Sequence, residues 1–169
     1  MLALEPLAAA HAAELFAALS APEIYTYLDQ PAPESLEWLR ERFRKLETRQ
    51  SADGTQQWLN WVIRLAEGGP CAGYVQATVH ADASADFAFV LAPDYWGRGI
   101  AFAASVEAIG KLREGYGVKS LYATADARNA RSIKLLLRLG FTPLDREAYP
   151  HGEVKEGDRA FSRKLGSET

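Results

Sequence analysis

One short stretch of this 169-residue chain carries residues at spacings suited to holding a phosphate, and a second frames a capped helix. The first is Tyr95-Trp96-Gly97-Arg98-Gly99-Ile100-Ala101, between a strand pattern and a helix pattern. Gly97 and Gly99 can expose a run of backbone N–H groups at a helix start, where free donors and the positive end of the helix dipole point the same way. Arg98 can add a charge-assisted contact. Two familiar phosphate loops do not fit: no Gly-Lys-Ser/Thr ending occurs, and Phe102 stands where a dinucleotide fingerprint needs Gly or Ala. Taken alone, the stretch reads equally as a structural turn. The second is Asn129-Ala-Arg-Ser132, running on to Gly140-Phe141. Asn129 suits an N-cap and Gly140 a helix stop, so alone it is only a well-capped helix.

The surrounding pattern supplies the elements that position them. Leu2 to Glu5 suits a strand, Leu7 to Leu19 a helix, and Glu34 to about Thr48 a second helix with Leu36, Leu39, Phe43 and Leu46 on one stripe. The period then turns strand-like over Gln57–Ala66, Cys71–Ala81 and Ala85–Leu91, whose short connections predict an antiparallel meander. A helix from Ile100 to Glu114, a strand at Val118–Ala125 and a helix from Asn129 to Leu139 follow. Strands at Phe141–Ala148 and Arg159–Leu165 close the chain around a polar hairpin loop. The reading is one α+β domain over residues 1–169, a mixed, mostly antiparallel sheet of about seven strands flanked by about four helices.

Composition narrows the partners. A 48% apolar content supports a core, and a net charge of −3 argues against a dedicated nucleic-acid binder. Cys71 is the only cysteine, and no metal-ligand spacing appears. No apolar run approaches the ~20 residues of a membrane span and no targeting segment is evident, so a cytoplasmic monomer or homodimer is expected.

The two stretches together resemble the acyl-CoA-binding halves of the GNAT superfamily of N-acetyltransferases. Trp96 to Ala101 looks like that family's Gln/Arg-x-x-Gly-x-Gly/Ala pyrophosphate loop, with Trp96 in the polar first position. Asn129, Ser132, Gly140 and Phe141 match its Asn-x-x-Ser…Gly-Phe helix. The phrases APDYWGRGIA and NARSIKLLLRLGF are similar to the branch of ribosomal-protein N-terminal acetyltransferases (RimJ/RimL type), and the element order matches over nearly the full length. The resemblance implies acetyl-CoA as co-substrate and direct attack by a neutral amine, with no covalent enzyme intermediate. Backbone amides of Trp96, Gly97, Arg98, Gly99, Ile100 and Ala101 would hold the pyrophosphate. Val90 and Leu91 would pair with pantetheine and lend an amide to the thioester oxygen, where charge grows during attack. Asn129 and Ser132 would contact the cofactor arm.

The sequence also departs from that family. Leu136 stands where many members place a tyrosine that protonates the departing thiolate, leaving Ser132 or water. Ala103 stands where the RimJ/RimL branch often carries glutamate. Asp86 matches the acidic position of that branch's strand and shares parity with Ala88 and Val90, which makes it the candidate base. Desolvation in a half-buried strand would raise its pKa and improve it near neutrality. An α-amine near pKa ~8 is the easier acceptor, because a lysine near ~10.4 costs roughly 3 kcal/mol or more to deprotonate at pH 7. His151 is an alternative base, while His11 and His80 read as surface or helix-face residues. The resemblance places the acceptor between the loop joining the first two helices and the last hairpin, so Tyr25, Tyr27 and Tyr149 are candidate contacts. Asn60 and Gln76 join them, and form a polar group with Asp86 if the strand registers align. A small amine or peptide N-terminus is the expected acceptor. An acyl-CoA-binding sensor without catalysis is the alternative reading, and a module binding no cofactor a third.

Overall fold

The computed structural model describes residues 1–166. Seven strands form one sheet in the order β1-β2-β3-β4-β5-β7-β6. These are β1 (Leu2–Pro6), β2 (Gln57–Leu65), β3 (Cys71–Val79), β4 (Ser84–Leu91), β5 (Ser120–Asp126), β6 (Thr142–Leu144) and β7 (Asp158–Lys164). All neighbours are antiparallel except β4 and β5.

Side-chain alternation divides the sheet's two faces. Leu59, Trp61 and Ile63 of β2, with Phe87 of β4, pack beneath α3 (Ile100–Tyr116) and α4 (Ala130–Arg138). Val62 points to the other face and packs with Cys71 against α1 (His11–Leu19) and α2 (Leu36–Leu46). Helix α2 starts where the Ser35 side chain accepts from the Trp38 amide at 3.0 Å, a cap worth ~1 kcal/mol. The stripe read from the sequence then turns Leu39 and Phe43 inward. Trp61 and Cys71 are core residues.

Two elements are shorter than the pattern implied. Helix α1 begins at His11 rather than Leu7, because His11 Nδ1 accepts the Ala8 amide at 3.0 Å and closes a turn ahead of it. The strand expected over Phe141–Ala148 keeps only Thr142–Leu144, and Arg146–Ala148 turn in a 3-10 coil.

The feature that creates the site is where β4 and β5 part. They pair only from Ser84–Asp86 against Ser120–Tyr122; beyond that β4 keeps only β3 as a neighbour and β5 only β7. A strand end separated from its neighbour leaves backbone groups open to a ligand. On its other side, β4 is approached closely by β3 at Gly73. A Cβ there would lie 2.0 Å from the Val90 carbonyl oxygen, and φ is +155°, so only glycine fits.

Candidate functional site

The part of β4 beyond its pairing with β5 lines a cavity of about 390 Å³. Phe89, Val90 and Leu91 form one wall, Trp96, Gly97, Gly99, Ile100 and Ala101 the next, and Asn129, Ser132 and Leu135 the third. Gly97 (φ +75°) and Gly99 (φ +76°) are both left-handed. The six amides from Gly97 to Phe102 donate to no acceptor among the described residues. Successive unpartnered N–H groups leading into α3 form an anion cradle. Trp96 departs from expectation in one respect: its backbone N–H is spent on the Pro93 carbonyl at 3.1 Å. Its indole N–H instead donates to the Leu91 carbonyl at 2.8 Å, tying the loop to the end of β4.

Cations surround this cradle. The Arg131 guanidinium lies 3.9 Å from the Trp96 ring centroid and that of Arg138 4.4 Å from Phe102, and Lys134 lines the same cavity. Arg98 stands over the Tyr95 ring at 5.8 Å. Asn129 caps α4 by accepting the Ser132 amide on Oδ1 at 3.2 Å, which leaves its two Nδ2 hydrogens for a ligand. Leu136 is buried in the core beneath the cavity and does not line it.

At the apex of the opening, on the α1/α2 face, stands Asp86. Its Oδ1 accepts from the Tyr149 hydroxyl and from His151 Nδ1 at 2.7 Å, and its Oδ2 faces His80 Nε2 at 2.9 Å. The imidazoles of His80 and His151 stack with centroids 3.7 Å apart, and Tyr122 meets the His151 and Tyr149 rings edge-on. Ser84 bridges His151 Nε2 (2.8 Å) to Asp82 (2.5 Å). Hydrogen bonds from Ser84 lower the Asp82 pKa, so Asp82 is ionised and takes the single Ser84 proton. The Ser84–His151 Nε2 contact completes a chain of polar groups from Asp82 to Asp86. Burial pushes the Tyr149 phenol well above its usual range, helped by the carboxylate it donates to, so it remains a donor.

Two sequence expectations change here. His80 is not a surface residue, because the β3–β4 turn folds its side chain onto Asp86. The surroundings of Asp86 are a set of donors, rather than the apolar strand environment expected to make it a stronger base. His80, Asp86 and His151 also each offer a donor atom within 4.8 Å of the others, a grouping no sequence spacing revealed. Two stacked rings side by side on one carboxylate would have to swing apart for one ion to lie in both ring planes. The arrangement as it stands is a proton network.

A second cavity, about 230 Å³, opens on the same face between α2, the α1–α2 loop and the sheet. Asn60 and Gln76 form its floor and are direct partners across β2 and β3. Asp86 pairs with Thr78, one same-face step farther along β3 than Gln76. The registers therefore align Asn60 with Gln76, and place Asp86 diagonally beside them. Tyr25 lines this cavity, with its hydroxyl donating to the Leu19 carbonyl at 2.5 Å and its pKa pushed up to about 12 by burial. Tyr27 does not line it, and lies under the Arg128 guanidinium at 5.5 Å. Tyr149 reaches Asp86 instead. The two cavities meet along one strand pair: Tyr74 lines the smaller, Val90 the larger, and they are register partners.

A family model of the acetyltransferase (GNAT) domain matches residues 1–142. The chain belongs to the GNAT acetyltransferases. Solved structures share this fold at low identity. A domain from Methanocaldococcus jannaschii superposes with a TM-score of 0.74 at 21% identity, covering 98% of this chain and 99% of that one. A GNAT-family acetyltransferase from Bacillus anthracis gives 0.76 at 14%, covering 96% and 94%. Spermidine N-acetyltransferase from Vibrio cholerae, solved with CoA and spermine, gives 0.77 at 18%, covering 96% and 95%. No curated protein sequence matches the chain. No helix among the described residues is long and apolar enough to cross a membrane.

This GNAT protein is thus an enzyme that uses acetyl-CoA. The residues of the larger cavity fit that co-substrate: unpartnered amides for a pyrophosphate, cations for phosphate charge, and an open strand end for an amide-bearing arm. Helix α3 adds no acidic group to it, since Ile100, Ala101 and Phe102 are the α3 side chains at the cavity wall.

Proposed function

We propose that this acetyltransferase transfers the acetyl group to a primary amine, a small molecule or a peptide N-terminus, by direct attack in a ternary complex. The observation that supports the reading is that register partners Tyr74 and Val90 line the two cavities side by side, so that an amine in one would face a thioester in the other. The Gly97–Phe102 amides and Arg98 would hold the pyrophosphate, and Arg131, Lys134 and Arg138 the remaining phosphate charge. The open end of β4 at Val90 and Leu91 would align the arm and donate an N–H to the thioester oxygen, stabilising the charge that develops there. Asn129 would reach the arm through Nδ2. Ser132, on the cavity wall, would donate to the leaving thiolate in place of the tyrosine that Leu136 replaces.

Asp86 is our candidate for the proton acceptor. It shares the sheet face of Val90 but lies four residues away, about 13 Å at ~3.3 Å per residue. A proton would therefore cross to it through water over the exposed Ala88, and His80 and His151 would hold the carboxylate oriented to receive it. Residues 1–169 would act as one catalytic domain, related to the RimJ/RimL-type branch by its loop and helix phrases. Thiol release from acetyl-CoA, followed by mass spectrometry of the amines added, tests the reading. One acceptor gaining one acetyl group supports it. Acetyl-CoA binding without transfer to any amine or peptide would favour the sensor reading instead.

A further inference from the structure

The smaller cavity has a charge character that selects among amines. None of its lining residues is a carboxylate, and its single ionic group is Arg42. The remaining polar lining is neutral: the amides of Gln30, Asn60 and Gln76, and the phenols of Tyr25 and Tyr74. A polyamine placed here would bring several positive charges to a wall offering no counter-charge and one cation.

Arg42 is left available by its own helix. On α2, Glu37 pairs with Arg40, and Glu41 with Arg44 at 2.5 Å, each three residues along. Arg42 makes no ion pair among the described residues. Its guanidinium lies 6.0 Å from the Trp38 ring centroid, one helical turn back, and Trp38 lines the same cavity. Stacking on an indole pre-orients a guanidinium while leaving its fork of N–H donors free, and that fork matches a carboxylate in two parallel hydrogen bonds. Burial keeps the Tyr74 phenol protonated between Arg42 and the Val90 seam, where it can donate rather than repel.

We infer that the acceptor is a primary amine that also carries a free carboxylate, of amino-acid size, with the carboxylate on Arg42 and the amine directed past Tyr74 toward the Val90 end of the larger cavity. The inference rests on the acetyltransferase reading above and deepens it. A cavity of about 230 Å³ suits a compact molecule rather than a long chain. Selectivity would come from the unpaired guanidinium: an acceptor without an anion leaves it facing nothing, and a cationic one is repelled.

The test compares the standard amino acids, their primary amides and spermidine as acceptors for the wild-type protein, Arg42→Gln and Arg42→Lys. At least one amino acid should exceed its own amide and spermidine by tenfold or more in kcat/KM. Arg42→Gln should erase that preference by raising the acceptor KM, and Arg42→Lys should keep part of it. Both variants should retain the rise in Tm that acetyl-CoA produces, which shows that they fold and bind co-substrate. Equal or better transfer to amides or spermidine overturns the inference and leaves the acetyltransferase reading standing. An unchanged preference in Arg42→Gln also overturns it. If no acceptor is acetylated while acetyl-CoA still raises the Tm, the transfer reading itself falls, and the inference with it.

Discussion

The two halves of the site are built in different ways. The half proposed to hold the co-substrate is mostly backbone: six unpartnered amides in one continuous loop, shaped by two left-handed glycines. The half proposed to receive the acceptor is all side chains, brought together from distant parts of the chain. Asp86 meets His151 across 65 positions and Tyr149 across 63, and Asn60 meets Gln76 only through strand register. A backbone cradle recognises a group common to a whole family of reactions, and it tolerates sequence change wherever glycine conformations are kept. A side-chain assembly can be respecified one residue at a time. The contrast explains how one fold keeps its co-substrate while changing its acceptor.

That contrast can be broken experimentally, beginning with the largest effect. Gly99→Val should abolish the acetyl-CoA-induced rise in Tm and increase the acetyl-CoA KM at least tenfold. The new side chain would project from the cradle into space where nothing lies within 4 Å, so the fold has room for it. The left-handed φ of +76° adds local strain of ~1–3 kcal/mol. An unchanged acetyl-CoA affinity would remove the cradle from the cofactor site. Asp86→Asn should lower kcat by ~100-fold, within the usual range for loss of a general base, with acetyl-CoA binding intact. Full activity across the pH range would exclude Asp86 as the base.

Smaller effects sharpen the same division. Tyr149→Phe removes one donor to Asp86, which strengthens the carboxylate as a base but loosens its placement, so kcat should change by less than about tenfold with the acetyl-CoA KM unchanged. An effect on acetyl-CoA KM instead would move Tyr149 to the cofactor half. Least affected should be Cys71, which belongs to neither half. Burial pushes its thiol up to about 11, so about one in 1,000 is ionised at pH 8 and alkylation of the native protein should be very slow. Rapid labelling without loss of activity would show that the start of β3 opens.

The same division governs what could be read from the residues alone. The glycine loop and the Asn129–Gly140 helix are contiguous, so their chemistry is visible in a row of letters, as are the meander and the α2 stripe. The Asp86 network depends on a turn that folds His80 back and a loop that lowers His151 and Tyr149 onto the sheet, neither of which has a local signature. Parity marked Asp86 as facing the acceptor side, but it could not show the donors around it. Tyr27 shows the opposite failure: a loop tyrosine at the right place in the order lies under Arg128 instead. Arg42 went unnoticed because one more arginine in a charged helix face carries no signal until its neighbours' ion pairs are known.

The bond from the Trp96 indole to the Leu91 carbonyl has a further consequence. It joins the loop proposed to anchor one end of the co-substrate to the strand proposed to position the other, across five residues of chain. The two grips are therefore set at a fixed span, and the protein works as a caliper for the arm between them. Acetylated thiols of shorter reach, or ones lacking the diphosphate, would engage one jaw at a time and be poorly aligned for transfer.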